Sequence, residues 1–466
     1  MADTVRIVTP VDGSVWAERA VASDRTVEAA VTTARQAQRG WAAVDLEQRA
    51  AACTRFVDAV VGMADELVPE LAWQMGRPVT FGPGELRGFA ERGHHMITIA
   101  PDALAPIELP DTPGFERSID QVPVGVVLCV APWNYPLLTA VNTIVPALMA
   151  GNAVVLKHAS QTLVVGERFQ EAADRAGLPH GVFTNLVLSH GQVAHALGRR
   201  WFDRVNFTGS VESGRSIERA AAGTFAGVGL ELGGKDPAYV RPDANLVHTV
   251  ENVVDGAFFN SGQSCCGIER VYVHRSVFDQ TVDAMAEAVA AYRLGSPLDV
   301  ETTLGPMVTA RAADQVRAQI DAALGAGARA VVGPDRFGDA DGGAGSPYLA
   351  PTLLTGVDHS MDVMAEESFG PVVGVMPVDD DAEAVRLMND SPYGLTASIW
   401  TADVEAARTI GAQLDTGTVF MNRADYLDPA LAWTGVKDTG RGVTLSVLGY
   451  GELTRPKSFH LRVDLG

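Results

Sequence analysis

At 466 residues, 47% apolar and 20% charged, the chain has the composition of an ordinary folded protein and is too long for one hydrophobic core, so two large lobes are expected. A net charge of −21, from 36 basic and 57 acidic side chains, argues against a nucleic-acid backbone or an anionic membrane as partner. No run of about 18 apolar residues predicts a membrane span, and the opening "MADTVRIVTPVDGSVW" lacks the basic-then-apolar pattern of a secretory signal.

The first hundred residues read mostly as helix. "TVEAAVTTARQAQRGWA" and "LEQRAAACTRFVDAVVGMADELVPELAWQMG" carry apolar residues at three- and four-residue spacing, and "GRPV" (Gly76 to Val79) breaks the pattern. His94–His95 has no partner at metal-ligand spacing and reads as structural. From Val124 the rhythm changes. "VGVVLCV" is a buried-strand candidate, "APWNYP" a turn, "LLTAVNTIVPALMAG" a helix and "NAVVLKHAS" a strand. A helix over Val164 to Ala176, the strand "GVFTNLVL" and the unit "FDRVNFTGSVESGRSIERAAAG" continue the alternation, which predicts a doubly wound parallel sheet. In "VNFTGSVESG" the small residues Gly209 and Ser210, with Gly214 beyond, could let backbone N–H groups approach a pyrophosphate; a glycine-capped turn without ligand fits equally well.

A second alternating section starts near Glu231 and ends with the step from "GPVVGVMPV" to "DDDAEAVRLMND". Asp379 to Asp381 read as carboxylates at a helix N-terminus, and "GDADGGAG", without the spaced ligands of a calcium loop, as a surface loop. The four cysteines are Cys53, Cys129, Cys265 and Cys266. None stands at zinc-ligand spacing, so no metal site is expected and a reducing cytoplasm suits the free thiols. The adjacent pair Cys265–Cys266, after a polar turn, is open to reading as packing, a redox pair, or a nucleophile beside a bystander.

"PWNYP" (Pro132 to Pro136), "VLK" ending at Lys157, "FTGS" (Phe207 to Ser210), "LELGGKDP" (Leu230 to Pro237), "FFNSGQSC" (Phe258 to Cys265), "EESFGPV" (Glu366 to Val372) and "GVKDTGRG" with "RPKS" follow one another in this order. Together they resemble the NAD(P)-dependent aldehyde dehydrogenase superfamily over essentially the whole chain. The resemblance implies an α/β fold of two doubly wound parallel-sheet domains plus a small oligomerisation element. Residues 1–106 and 124–230 would bind the cofactor, 231–424 form the catalytic domain, 107–123 and 450–466 make the oligomerisation hairpin and strand, and 425–449 return to the substrate entrance. It further implies Cys265 as nucleophile, Glu231 as general base and Asn134 as side-chain donor to an oxyanion. Pro132, Trp133, Lys157, Ser160, Gly209, Ser210, Leu232, Gly233, Glu367 and Phe369 would line the NAD(P) site, with Lys235 and Gly233 shaping the turn before the nucleophile. Tyr135, Thr139, Asn142, Phe259, Ser264, Cys266, Tyr426 and Trp433 are the substrate-pocket candidates.

Those residue types suit the chemistry. An aldehyde carbon loses hydride only from a tetrahedral adduct; a thiolate forms that adduct, amide and backbone N–H groups hold its oxyanion, and a carboxylate activates the water that releases the acid from the thioester. Two departures from the family stand out. Lys157–His158–Ala159–Ser160 lacks the glutamate that usually follows the strand lysine, which leaves NAD against NADP open. "WTGVK" replaces a common entrance-loop sequence, which leaves the aldehyde open. A homodimer or homotetramer follows by analogy. The alternatives are a coenzyme-A-acylating relative, which generally lacks the glutamate, a catalytically silent nucleotide-binding protein, and a cofactor-free cysteine hydrolase, for which a Cys–His pair is expected.

Overall fold

The computed structural model describes residues 4–465; Met1 to Asp3 and Gly466, the outermost positions of the expected cofactor and oligomerisation segments, lie outside them. Strands with no polar face must be covered on both sides, and Val126–Val130 and Ala153–Lys157 are buried at every position. They lie at the centre of a six-stranded sheet whose order is Gly440–Arg441, Gly227–Glu231, Arg204–Thr208, Val126–Val130, Ala153–Lys157, Phe183–Asn185. All neighbours are parallel except Gly440–Arg441, which returns from far along the chain and pairs antiparallel with Gly227–Glu231.

A seven-stranded sheet follows, in the order Arg329–Val332, Thr352–Thr355, Val372–Val378, Ile268–His274, Asp236–Val240, Thr396–Trp400, Thr418–Met421, parallel apart from its first pair. Each sheet carries apolar clusters on its faces. Burying one Val or Leu side chain contributes about 1.5–3 kcal/mol, so these layers dominate the stability. Phe115–Pro123 and Thr454–Arg462 form a separate antiparallel ribbon of nine paired residues. The C-terminal strand thus pairs within its own chain.

The N-terminal region needs correction. Thr4–Val8 and Val15–Ala20 form a hairpin, closed where Asp12 accepts from the Ser14 amide and Gly13 adopts φ 77°. Its strands are short and largely exposed, so no periodic signal marks them. The stretch from Leu46 forms two helices, Leu46–Val61 and Ala64–Met75, broken at Gly62–Met63. Beyond the "GRPV" break lies a further helix, Gly82–Ala103.

The acidic triplet is spent locally. Asp379 pairs with Arg275, Asp380 caps the next helix through the Glu383 amide, and Asp381 accepts from Tyr239 and Arg241. His94 faces Asp58 at 3.3 Å. Among the described residues no metal-binding group of His, Cys, Asp or Glu occurs, and no helix is long and apolar enough to cross a membrane.

Candidate active site

Cys265 sits just after a turn that the chain could not hold unaided. Asn260, Ser261 and Gly262 take consecutive left-handed conformations, φ 54°, 56° and 69°, of which the first two cost energy in residues with a Cβ. At Gly262 a Cβ would stand 2.2 Å from the Gly370 carbonyl, so only glycine fits. Side chains lock the strained turn. Asn260 Nδ2 donates to the Gln263 and Asn134 carbonyls at 3.1 and 3.2 Å. Gln263 Nε2 donates to the Asn260 carbonyl at 3.0 Å, and Ser261 Oγ to that of Gly305 at 2.7 Å.

The same lock reaches the other sheet. Asn134 lies in the turn between Val126–Val130 and the helix Pro136–Met149; its Nδ2 donates to the Gln263 carbonyl at 3.3 Å. Its own carbonyl accepts from Arg77 Nη2 at 2.6 Å. Arg77 forms a fully buried ion pair with Glu85, and Glu85 Oε1 accepts the Leu137 amide at 2.8 Å, capping that helix. The arginine of "GRPV", which reads in the sequence only as a helix breaker, thus ties the asparagine turn to the thiol turn.

Two cavities reach the thiol. One, of about 260 Å³, is lined by Pro132, Trp133, Asn134, Gly209, Ser210, Gly233, Glu367 and Phe369. The other, of about 270 Å³, is lined by Tyr135, Thr139, Asn142, Phe259, Ser264, Cys266 and Trp433. Cys265 and Glu231 line both. Cys265 is half-buried, whereas Cys266 is buried. Cys266 donates to Asp425 Oδ1 at 3.0 Å, and its thiol is held well above the ordinary range by its contact with Cys265, by burial and by the Asp425 charge. Glu231 ends its strand between Thr444 Oγ1 at 2.5 Å and Thr208 Oγ1 at 3.2 Å, and burial raises its carboxyl pKa.

This geometry, a thiol and a carboxylate at the junction of two cavities between two parallel sheets, agrees with what comparison finds. The aldehyde dehydrogenase family model matches residues 1–459. The chain belongs to the aldehyde dehydrogenase family. It is 35% identical over 444 residues to geranial dehydrogenase of Castellaniella defragrans, covering 94% of this chain and 91% of that protein. It is 33% identical over 431 residues to the NADP(+) succinate-semialdehyde dehydrogenase of Deinococcus radiodurans, covering 92% and 89%. The solved structure of betaine aldehyde dehydrogenase from Staphylococcus aureus in complex with NAD+ superposes with a TM-score of 0.93 at 28% identity, covering 100% of this chain and 92% of that one. The protein is an NAD(P)-dependent aldehyde dehydrogenase.

The residues present fit that cofactor. Glu367 Oε1 accepts the Gly234 amide at 3.2 Å and lies 2.0 Å from where a Cβ on Gly233 would stand, so Gly233 makes room for the carboxylate. Burial pushes the Glu367 carboxyl up to about 8, an environment that calls for hydroxyl partners. A third cavity, of about 200 Å³, is lined by Lys157, His190, Glu212 and Ser213. Lys157 is 4% exposed and makes no ion pair among the described residues, and burial brings its ammonium down to about 8.

Lys235 lines none of these three cavities. Its ammonium, fully buried, bonds Glu269 at 2.6 Å and Ser368 Oγ at 3.0 Å, while Glu269 accepts the Ser368 and Phe369 amides, both at 2.8 Å. This clamp holds the turn that presents Glu367.

Three expected positions are corrected. Ser160 is exposed at the start of a short 3-10 turn and lines none of the three cavities. Leu232 is a core side chain packed on the helix at Gly214, where a Cβ would come within 2.6 Å of it. Gly214 therefore serves helix packing. Tyr426 points out, its hydroxyl donating to Glu91 at 2.7 Å beneath the Arg423 guanidinium. Its neighbours Asp425, which holds φ 56°, and Leu427 line the cavity instead. Sequence reading also missed Arg77, Glu85 and Arg92, which lie on or beside helices whose faces only the packing reveals.

Proposed function

We propose that Cys265, Glu231 and Asn134 carry the oxidation of an aldehyde to its acid. The Cys265 sulfur adds to the carbonyl carbon, and the oxyanion accepts N–H groups from Asn134 Nδ2 and the Cys265 backbone. When bound, NAD(P)+ takes up the hydride. The resulting Cys265 thioester is attacked by water, which Glu231 deprotonates, and the thiol is released with the acid. The single observation carrying this reading is that Cys265 and Glu231 both face the two cavities. Glu231 favours water over coenzyme A as acyl acceptor.

The test is Glu231→Gln. It is expected to leave a first burst of reduced cofactor and to slow the steady state by about 10²–10⁴-fold. With the native protein, the base form of Glu231 is needed and its pKa is raised, so the rate falls on acidification at a pH above the ordinary carboxylate value of 4.5. That limb vanishes in the variant. An undiminished steady state, or acyl-CoA as product, would reject the role.

Acceptance of either cofactor at the adenosine end is supported by Lys157, buried without an ion pair among the described residues, and by His190, in a lining that also holds Glu212. NADP+ is expected to raise the melting midpoint at least as far as NAD+, since a ligand stabilises by its affinity for the native state. Lys157→Met should weaken the NADP+ shift more than the NAD+ shift. Stabilisation by NAD+ alone would contradict acceptance of NADP+.

The assignment of 1–106 and 124–230 to cofactor binding and of 231–424 to catalysis is supported by the two sheets, and that of 425–449 to the entrance by Asp425 and Trp433 in the lining. A homodimer or homotetramer assembled through residues 107–123 and 450–466 is supported by the ribbon's exposed Phe459 and Leu461. Free thiols at all four cysteines support a reducing cytoplasm.

A further inference from the structure

The cavity on the substrate side of Cys265 holds two opposite charges that do not pair with each other. Arg92 is 8% exposed; its Nη1 donates to the Leu138 carbonyl at 2.9 Å and to Asn142 Oδ1 at 3.5 Å, while its Nε and Nη2 have no hydrogen-bond partner among the described residues. Among the described residues Asp425 accepts from Cys266 and Ser264 on Oδ1 alone, which leaves Oδ2 without a partner there, and Asn142 Nδ2, beside Arg92, is buried with none. The other charges in the lining are accounted for, Arg77 by Glu85 and Glu231 by two threonine hydroxyls. Phe81 and Phe259, packed edge to face with centroids 5.1 Å apart, supply an aromatic wall.

We propose that this cavity selects a neutral, hydroxyl-bearing aldehyde, with Arg92 and Asn142 donating to its hydroxyl oxygens and Asp425 accepting from a hydroxyl. The inference rests on oxidation at Cys265 and adds the substrate class. A hydrocarbon tail would desolvate the guanidinium and the carboxylate without replacing their water, which costs more than the contact returns. A carboxylate tail would meet Arg92 but be repelled by Asp425, and a cationic tail meets the reverse. A hydroxyl both donates and accepts, so it satisfies both groups at once.

The test compares three four-carbon aldehydes with native protein, followed by reduced-cofactor absorbance: erythrose, butanal and succinate semialdehyde. Erythrose is expected to lead in kcat/KM by about tenfold or more, since a site built to bond hydroxyls rejects the analogue lacking them. Arg92→Met and Asp425→Asn should each shrink that lead, with Arg92→Lys keeping part of it. A lead for butanal or for succinate semialdehyde overturns the proposal. A second measurement separates the pocket from the chemistry: protection of Cys265 from iodoacetamide by erythritol against 1-butanol. Better protection by erythritol supports the pocket even if no aldehyde is oxidised, an outcome that would overturn the oxidation alone; equal or better protection by 1-butanol overturns the pocket.

Discussion

Replacing Cys265 with serine is expected to lower turnover on the order of 10⁴-fold or more while NAD(P)+ still raises the melting midpoint. A serine hydroxyl is not ionised near neutral pH, and the site holds no histidine to take its proton: neither cavity at Cys265 is lined by one. The same fact disfavours a cofactor-free cysteine hydrolase, whose thiol would need such a base. The neighbouring thiol cannot substitute, because Cys266 is buried, bonded to Asp425 and held in the protonated form. Cys266→Ser should accordingly retain most of the turnover. Stopped-flow absorbance of the reduced cofactor checks both variants, and unchanged turnover in Cys265→Ser would remove that sulfur from the mechanism.

The second large effect concerns stability. Lys235→Met is expected to destabilise the protein by about 3–5 kcal/mol, the usual result of stranding one member of a buried ion pair. Glu269 would keep the Ser368 and Phe369 amides as donors but lose its countercharge in a site where Lys235 has no exposure. Phe369 holds φ 51°, a conformation that persists only while its surroundings enforce it. The turn carrying Glu367 should therefore loosen, and cofactor affinity fall with it. Lys235→Met combined with Glu269→Gln should recover part of the loss by removing the uncompensated charge. Urea midpoints of the single and double variants measure this, and an unshifted midpoint for Lys235→Met would show that the pair does not hold the turn.

Much of the fold was legible because buried parallel strands leave a local trace. "VGVVLCV" and "NAVVLKHAS" announce Val126–Val130 and Ala153–Lys157, and apolar spacing announces the helices between them. The N-terminal hairpin left no such trace; its strands span 5 and 6 residues and are largely exposed, so neither alternation nor hydrophobicity marks them.

In the site, the motifs named Asn134, Glu231 and Cys265 through the family resemblance they carry, and in the structure all three line one cavity. Glycines at 233 and 262 mark places where no side chain fits, which is also written locally. Only the tertiary structure decided the charges around the substrate. Asp425 reaches Ser264 across 161 positions, Arg77 reaches Asn134 across 57, and Tyr426 turns to Glu91 across 335. Periodicity reports which face of an element is apolar. It carries no information on which distant ion completes a buried pair or remains without one, and here that choice shapes the substrate side of the thiol.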